Sequence, residues 1–380
     1  MQNFSIDDQK YMARALKLAE LGEGAVSPNP MVGAVVVKDD EIVGEGYHKK
    51  YGGPHAEVYA LDQAGDKALG AELYVTLEPC SHYGKTPPCA LKVINSGITR
   101  VVIAMVDPNP EVAGKGINML KEAGIEVEIG LFKKQAQTLN EVFLKYIQSE
   151  FPFIYLKKAQ TLDGYIASKT GDSKWITNPQ ARLEGHKLRH KADTIMVGIG
   201  TVIADDPSLT ARLEDKEGID PLRIILDPLL EVPLDAQILK QKSNAATLII
   251  TADDYPPAKA AALLEKKKKL FQMENVEVLT FEVNEDNYFN IEELLKTLHS
   301  REISSILVEG GAKLSHTFLQ NNLVDKYYYF IAPKIYGGND GIASFCGRGP
   351  ELMSGAVELE IIEQKNLADN ILLIAEDKNK

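Results

Sequence analysis

The chain has 380 residues, of which 44% are hydrophobic and 25% charged. That is globular composition and, at ~150 residues per domain, enough for two domains. Its net charge is −12, with acidic residues outnumbering basic ones on both sides of Glu150, which argues against a basic nucleic-acid platform. Three cysteines are too few for a disulfide framework. The opening MQNFSIDDQKYMARALKLAE has no basic stretch leading into an apolar run, and nothing approaches ~18 consecutive apolar residues. A cytoplasmic chain with no membrane partner is expected.

Asp7 to Leu21 reads as a helix, with Tyr11, Ala15 and Leu18 on one face and Ser5, Asp7 or Asp8 available as caps. Ser27-Pro28-Asn29-Pro30 breaks the helical pattern. Val32 to Val37, the turn Asp39-Asp40 and Ile42 to Gly46 read as a hairpin. Helices are expected at His55–Ala64, Cys89–Gly97 and Lys115–Ala123. They alternate with strands at Leu73–Leu77, Val101–Val106 and Val127–Ile129. This alternation predicts a largely parallel sheet covered on both faces. A helix from Ala136 to Gln148 ends near Phe151-Pro152, where the domain boundary is placed.

A second alternating series begins at Phe153–Leu156. Strands are expected at Thr194–Val197, Leu222–Leu226, Thr247–Thr251, Val276–Phe281, Ile306–Val308, Lys326–Ile331 and Ile371–Ala375. Helices are expected at Pro179–His190, Pro257–Phe271, Ile291–Arg301 and Lys313–Gln320. This is a second α/β domain. The run Lys266–Lys269 suits the solvated C-terminal end of a helix.

The cysteines mark the first chemistry. Cys80 and Cys89 lie in Glu78-Pro79-Cys80-Ser81-His82-Tyr83-Gly84-Lys85-Thr86-Pro87-Pro88-Cys89, downstream of Pro54-His55-Ala56-Glu57. His55 opens a helix, Cys80 follows a strand and Cys89 begins a helix. One imidazole and two thiolates are three ligands for Zn2+, leaving a fourth position for water, the arrangement of a catalytic site. Glu57, two residues after His55, is placed to move a proton without ligating the metal. An H-x-E element followed by P-C and a second Cys is the order found in zinc deaminases, although eight residues between the cysteines exceed the usual two. The bland alternative is a pair of buried free cysteines and a surface histidine. Cys346, remote from these, reads as packing.

With this longer spacing, residues 1–148 resemble the deaminase half of the bifunctional riboflavin-biosynthesis deaminase–reductase family. Ser27-Pro28-Asn29-Pro30-Met31-Val32-Gly33, Gly53-Pro54-His55-Ala56-Glu57 and Asp107-Pro108-Asn109-Pro110 also match. Lys157-Lys158-Ala159-Gln160-Thr161-Leu162-Asp163-Gly164 resembles the opening strand of the family's reductase, expected over 152–380. The resemblance implies an α/β chain with a cytidine-deaminase-like three-layer domain followed by a dihydrofolate-reductase-like domain. It also implies Zn2+ and NADPH as cofactors, small phosphorylated pyrimidines as substrates and a homo-oligomer. The implied reactions are deamination of 2,5-diamino-6-(5-phosphoribosylamino)-4-pyrimidinone, then NADPH reduction of the ribosyl group to ribityl.

In the deaminase half, His82 and Lys85 add positive charge suited to a ribose phosphate, or form an exposed polar loop. Asn29 and Asn109 offer donor–acceptor pairs to a pyrimidine edge, although Asn beside Pro is also turn chemistry. His48 is a candidate for the pocket rim.

In the reductase half, Trp175 lies in the polar loop Gly171–Thr177 and either walls a cofactor pocket or enters the core. Arg182, His186 and Arg189 share a helix face that is basic or merely solvated. Gly198 and Gly200 would let a cofactor approach the backbone, but G-x-G alone is weak and the G-x-G-x-x-G fingerprint is absent. The stronger candidate is Leu307 to Thr317, where a strand runs through Gly310-Gly311 into a helix. It is either a phosphate site or a plain β-α turn. The resemblance assigns Gly311, Ala312, Lys313, Leu314, Ser315, His316 and Thr317 to the NADP phosphates, and Ala159, Trp175, Thr201 and Asp205 to NADP. It assigns Ser173, Arg189, Leu209, Arg212 and Glu309 to the substrate, with Arg189 and Arg212 on its phosphate. Lys157 and Asp205 are the candidates for proton handling.

Two rivals are a zinc deaminase acting on tRNA or another nucleic acid with an accessory binding domain, and a non-catalytic zinc scaffold. The acidic charge argues against the first, and the open three-ligand set with Glu57 against the second. Because both expected substrates are anionic, the sites should be local positive islands on a surface that repels phosphate.

Overall fold

The computed structural model describes residues 4–81, 87–110, 112–214 and 217–380. The chain divides into two compact units, Met1–Glu150 and Phe151–Lys380.

In the first unit α1 (Ile6–Ala19) starts on a capping box: Ser5 Oγ accepts the Asp8 amide and the Asp8 carboxylate accepts the Ser5 amide. The hairpin β1 (Gly33–Lys38) and β2 (Glu41–Tyr47) turns at Asp39 and Asp40, both at positive φ. Then come α2 (Ala56–Ala64), β3 (Glu72–Leu77), α3 (Cys89–Asn95), β4 (Arg100–Met105), α4 (Lys115–Glu122), β5 (Glu126–Ile129), α5 (Lys133–Leu139) and α6 (Glu141–Gln148). The sheet order is β2-β1-β3-β4-β5. Only β3, β4 and β5 are mutually parallel; β1 runs antiparallel to both β2 and β3. The expected largely parallel sheet is therefore half antiparallel: the two-residue turn sets β2 against β1, and β1 also runs against β3. Val35, Leu73, Val101, Ile103 and Leu120 are fully buried in its core.

The expected helix Ala136–Gln148 is two helices broken at Asn140. Asn140 is 2% exposed, and its side chain takes the Met31 amide at 2.8 Å and gives to the Met31 carbonyl at 3.0 Å. This distant pairing ties down the segment carrying Asn29 and interrupts the helix.

The second unit comprises β6 (Phe153–Thr161), β7 (Tyr165–Ala167), α7 (Pro179–Lys191), β8 (Thr194–Gly198), α8 (Ile199–Asp205), β9 (Leu222–Leu226), β10 (Thr247–Ala252), α9 (Pro257–Phe271), β11 (Val276–Phe281), α10 (Ile291–Ser300), β12 (Ser305–Glu309), α11 (Ala312–Gln320), β13 (Lys326–Ala332), β14 (Ile342–Ala343), β15 (Leu359–Leu367) and β16 (Asn370–Asp377). Its nine-stranded sheet has the order β11-β10-β9-β8-β12-β6-β13-β16-β15. Strands β11 to β13 in that order are parallel, and β16 and β15 close the edge antiparallel. The late strand β12 inserts between β8 and β6, and the carboxyl ends of such adjoining strands are where open α/β sheets hold ligands.

Four elements went unanticipated. Helix α8 begins in the Gly198–Gly200 turn, β7 and β14 form a small separate sheet, and β15 is an edge strand too exposed to show an apolar pattern. Cys346 is exposed, so the packing role expected of it is wrong; the neighbouring Phe345 reaches the core instead. No helix among the described residues is long and apolar enough to cross a membrane.

Candidate functional site

In the first unit, backbone geometry gathers the metal-type side chains. His55 caps α2 with extended backbone, φ −75° and ψ 167°, and makes no side-chain cap bond, so its ring is free for another partner. Cys89 is the first residue of α3 and Cys80 lies just past β3. His55 Nδ1 is 3.6 Å from Cys80 Sγ and 3.3 Å from Cys89 Sγ, and the three ligand atoms lie within 4.8 Å of one another. Zinc bonds of about 2.0 Å to nitrogen and 2.3 Å to sulfur separate tetrahedral ligands by about 3.5 Å, so the donor set fits the ion. The Cys89 amide also donates to Cys80 Sγ at 3.3 Å. Hydrogen bonding from Cys89 and the nearby His55 hold the Cys80 thiol well below its ordinary range, and the same bond, with burial, pushes the Cys89 thiol up, so the pair shares a proton.

Glu57, on the first turn of α2, is 3% exposed, and its Oε2 has no hydrogen-bond partner. A buried carboxylate oxygen without a partner is costly, which marks a group shaped for a ligand rather than for the fold. Burial pushes its carboxyl up to about 7, against the pull of His55.

His48 is buried, with Nδ1 3.0 Å from the Pro54 carbonyl and Nε2 3.2 Å from Asn29 Nδ2. That pattern fits a neutral ring with its proton on Nδ1. Its ring stands edge-on to His55, centroids 5.5 Å apart. Asn29, His48 and His55 are thus one contiguous group. Asn109 is half-buried beyond β4, in the loop anchored on Glu78, and its amide donates to Asp107 Oδ1 at 2.9 Å. His82 and Lys85 lie outside the described residues.

In the second unit a charged cluster sits where the carboxyl end of β12 meets the middle of β6. Lys157 and Glu309 are register partners on these strands, with Nζ 3.6 Å from Oε2. Arg189, from α7, grips Glu309 with Nε and Nη2, both at 2.9 Å, and gives Nη1 to the Thr210 carbonyl at 3.2 Å. Burial opposes the Glu309 charge, but Arg189 and Lys157 outweigh it and hold the carboxyl at about 2. Glu309 offsets one of the two positive charges of Lys157 and Arg189, and one N–H on each of Nη1 and Nη2 is left for an anion. Arg212 is exposed, and His186 shares the Thr210 carbonyl with Arg189. Arg182 parts from that face, lying 4.4 Å from the Trp175 ring centre.

Trp175 is 63% exposed, which excludes the core alternative. Ser173, half-buried in the same loop, accepts the Ile176 amide on its carbonyl. Asp205 ends α8, its carboxyl raised by burial against the pull of Lys174. Leu209 is buried at positive φ, and Ala159 packs beside Phe330 on β6.

The Gly310-Gly311 turn leads into α11 as the sequence indicates. Gly311 caps that helix without a side-chain bond, so the amides of Ala312, Lys313 and Leu314 have no partner within the helix. The Gly311 amide is taken by Thr201 Oγ1 at 3.2 Å. Ser315 is turned inward, bonded to Lys158, and Leu314 packs on the core; His316 and Thr317 are half-buried.

Three residues passed unremarked in the sequence. Asn140 is described above. Glu78, quoted beside Cys80, turns out to accept three backbone amides. Lys158 is 2% exposed and bonds the Gly310 carbonyl at 3.0 Å and Ser315 Oγ at 2.7 Å. Strand alternation was the available signal for Lys158, since 157 and 158 must face opposite ways.

Comparison with known proteins agrees with both halves. Residues 5–105 match the cytidine and deoxycytidylate deaminase zinc-binding region, and residues 152–373 match the RibD C-terminal domain. The second match leaves no support for an accessory nucleic-acid domain. The riboflavin biosynthesis protein RibD of Aquifex aeolicus is 50% identical over 330 residues, 87% of this chain and 88% of that protein. The solved structure of Acinetobacter baumannii RibD superposes with a TM-score of 0.85 at 39% identity, covering 98% of this chain and 99% of that one. A diaminohydroxyphosphoribosylaminopyrimidine deaminase/5-amino-6-(5-phosphoribosylamino)uracil reductase from Thermotoga maritima gives 0.82 and 37%, with the same coverage. With a cytidine-deaminase-like domain followed by a RibD-type reductase domain, the chain belongs to the RibD family of bifunctional deaminase–reductases of riboflavin biosynthesis.

Proposed function

We propose that the deaminase site acts on 2,5-diamino-6-(5-phosphoribosylamino)-4-pyrimidinone, and that the second unit reduces the ribosyl group of the product to ribityl with NADPH. The observation that carries this reading is the buried Glu57, whose Oε2 has no hydrogen-bond partner, beside the set His55, Cys80 and Cys89. Those three side chains would hold zinc, which when bound supplies an acidified water as nucleophile. Glu57 takes a proton from the attacking water and returns it to the departing amine. Asn29 and Asn109 read the pyrimidine edge, and His48 keeps Asn29 oriented through its hydrogen bond. His82 and Lys85 would supply positive charge to the ribose phosphate.

In the second unit the amides at the start of α11, with Lys313, would hold the NADPH phosphates. Trp175, Thr201, Asp205 and Ala159 line the rest of that pocket. When bound there, NADPH would supply the hydride for ribose C1. Lys157, beside Glu309, protonates the ring oxygen as the sugar opens. Arg189, Arg212, Ser173 and Leu209 hold the phosphorylated end. The domains assigned are 1–148 and 152–380, in a cytoplasmic homo-oligomer whose thiolates stay reduced.

Purified protein should release ammonia from the diamino-pyrimidinone phosphate without NADPH and form the ribityl product only with it. Glu57→Gln should keep zinc and lose deamination while reduction of the deaminated intermediate persists. Loss of both activities in that variant would sink the two-site model.

A further inference from the structure

Glu78 precedes Pro79 and Cys80, yet the proposed chemistry makes no use of it. Its side chain is 3% exposed and accepts three backbone amides: Gly114 at 3.0 Å and Asp107 at 3.3 Å on Oε2, and Ile117 at 3.2 Å on Oε1. Its own amide donates to the Met105 carbonyl at 3.0 Å, joining the ends of β3 and β4. Gly114 is the N-cap of α4 and has no side chain with which to cap it. Glu78 supplies that cap from another element, and a carboxylate there meets both the orphan amides and the positive end of the helix dipole. The approach is close: a Cβ on Gly116 would lie 1.9 Å from the Pro79 carbonyl oxygen. The two residues before Cys80 are thus pressed against the first turn of α4.

The segment from Asp107 to Gly114 contains Asn109. The Asn109 amide donates to Asp107 Oδ1, and its carbonyl accepts the amides of Val112 and Ala113, both at 2.8 Å. Asp107 and Gly114, at the two ends of this segment, are both anchored on Glu78 Oε2. We infer that Glu78 is a positioning residue of the deaminase: it locks the Asn109 loop to the Cys80 loop, so that the group reading the pyrimidine is held in register with the metal ligands. The inference rests on reading Asn109 as a pyrimidine contact.

Glu78→Gln keeps the shape but turns an amide N–H₂ toward backbone donors, leaving buried N–H groups unsatisfied. Gly116→Ala pushes α4 away from Pro79 by an independent route. For both variants, KM for the diamino-pyrimidinone phosphate should rise about tenfold, with kcat changed less than about threefold. Zinc content should stay equal to that of the unmodified protein, and reduction of the deaminated intermediate should be unaltered. Asn109→Ala should raise KM as well. An unchanged KM in Asn109→Ala overturns the reading of Asn109 and the inference with it. A raised KM in Asn109→Ala with unchanged KM in both other variants overturns the inference alone. Loss of zinc and of kcat together in Glu78→Gln and Gly116→Ala also overturns it, since Glu78 would then serve the metal loop only.

Discussion

His55 and Cys89 meet across 34 residues of chain, whereas Arg189 and Glu309 meet across 120. In the first unit the candidate ligands sit at two helix starts and a strand end, all within one α/β run. In the second, Lys157 comes from β6, Arg189 from α7, Glu309 from β12 and the phosphate-type turn from the start of α11. The residue types differ as well. Thiolates and an imidazole have few structural reasons to cluster, whereas Lys, Arg and Glu cluster on any surface. The first unit can therefore lose its chemistry through one atom, while the second distributes it over a charge network in which each group restrains the others.

Removing a ligand should break this contrast most sharply. Cys89→Ala takes away one of three donors and should lower zinc content and deamination together, the rate by about 10³-fold or more, given the several kcal/mol a metal contributes to such chemistry. Reduction of the deaminated intermediate should remain within about twofold, since it uses none of these groups. Metal analysis with ammonia release and NADPH oxidation checks both halves; stoichiometric zinc with normal deamination would remove Cys89 from the site.

The same contrast explains what the sequence disclosed. His55, Glu57, Cys80 and Cys89 were legible because each falls at an element junction that hydrophobic periodicity already marks. The strands of both sheets were legible as β-branched runs. The pairing of Arg189 with Glu309 was not, because β12 enters between β8 and β6 only when the sheet assembles, and no local pattern records that insertion. The break at Asn140 was hidden for the same reason: its cause is Met31, 109 residues away. Cys346 misled because burial is the usual state of a free cysteine, and its loop happens to bury Phe345 instead.

A change in the backbone of the second unit should have a smaller effect, confined to reduction. Gly310 has φ +114°, and a Cβ there would lie 2.6 Å from Thr201 Oγ1, the atom that takes the Gly311 amide. Gly310→Ala therefore strains the turn and displaces the group that holds it. KM for NADPH should rise about tenfold, worth 1.4 kcal/mol, while deamination stays unchanged. An unaltered KM for NADPH would show that the cofactor phosphates bind elsewhere.

The smallest effect on either rate should come from Asp8, whose work is in folding. Its carboxylate accepts from Arg100 Nη1 at 2.8 Å and Tyr74 Oη at 2.7 Å, and Arg100 also bonds Glu72 and Glu128, so α1, β3, β4 and β5 converge on one guanidinium. Burial works against the Asp8 charge, but Arg100, Tyr74 and Ser5 outweigh it and hold the carboxyl well below the usual range. Because the unfolded chain takes up this proton first, the contribution is complete above an unfolded pKa of about 3.9 and fades as pH falls toward the folded value. Asp8→Asn should lower stability at pH 7 by about 1–3 kcal/mol and flatten the rise in urea midpoint over roughly pH 2 to 5, with kcat for both reactions unchanged. Equal stability and an equal pH slope in the variant would mean that Arg100 is satisfied by Glu72 and Glu128 alone. The first unit would then be fastened at this corner by its strands rather than by the cap of α1.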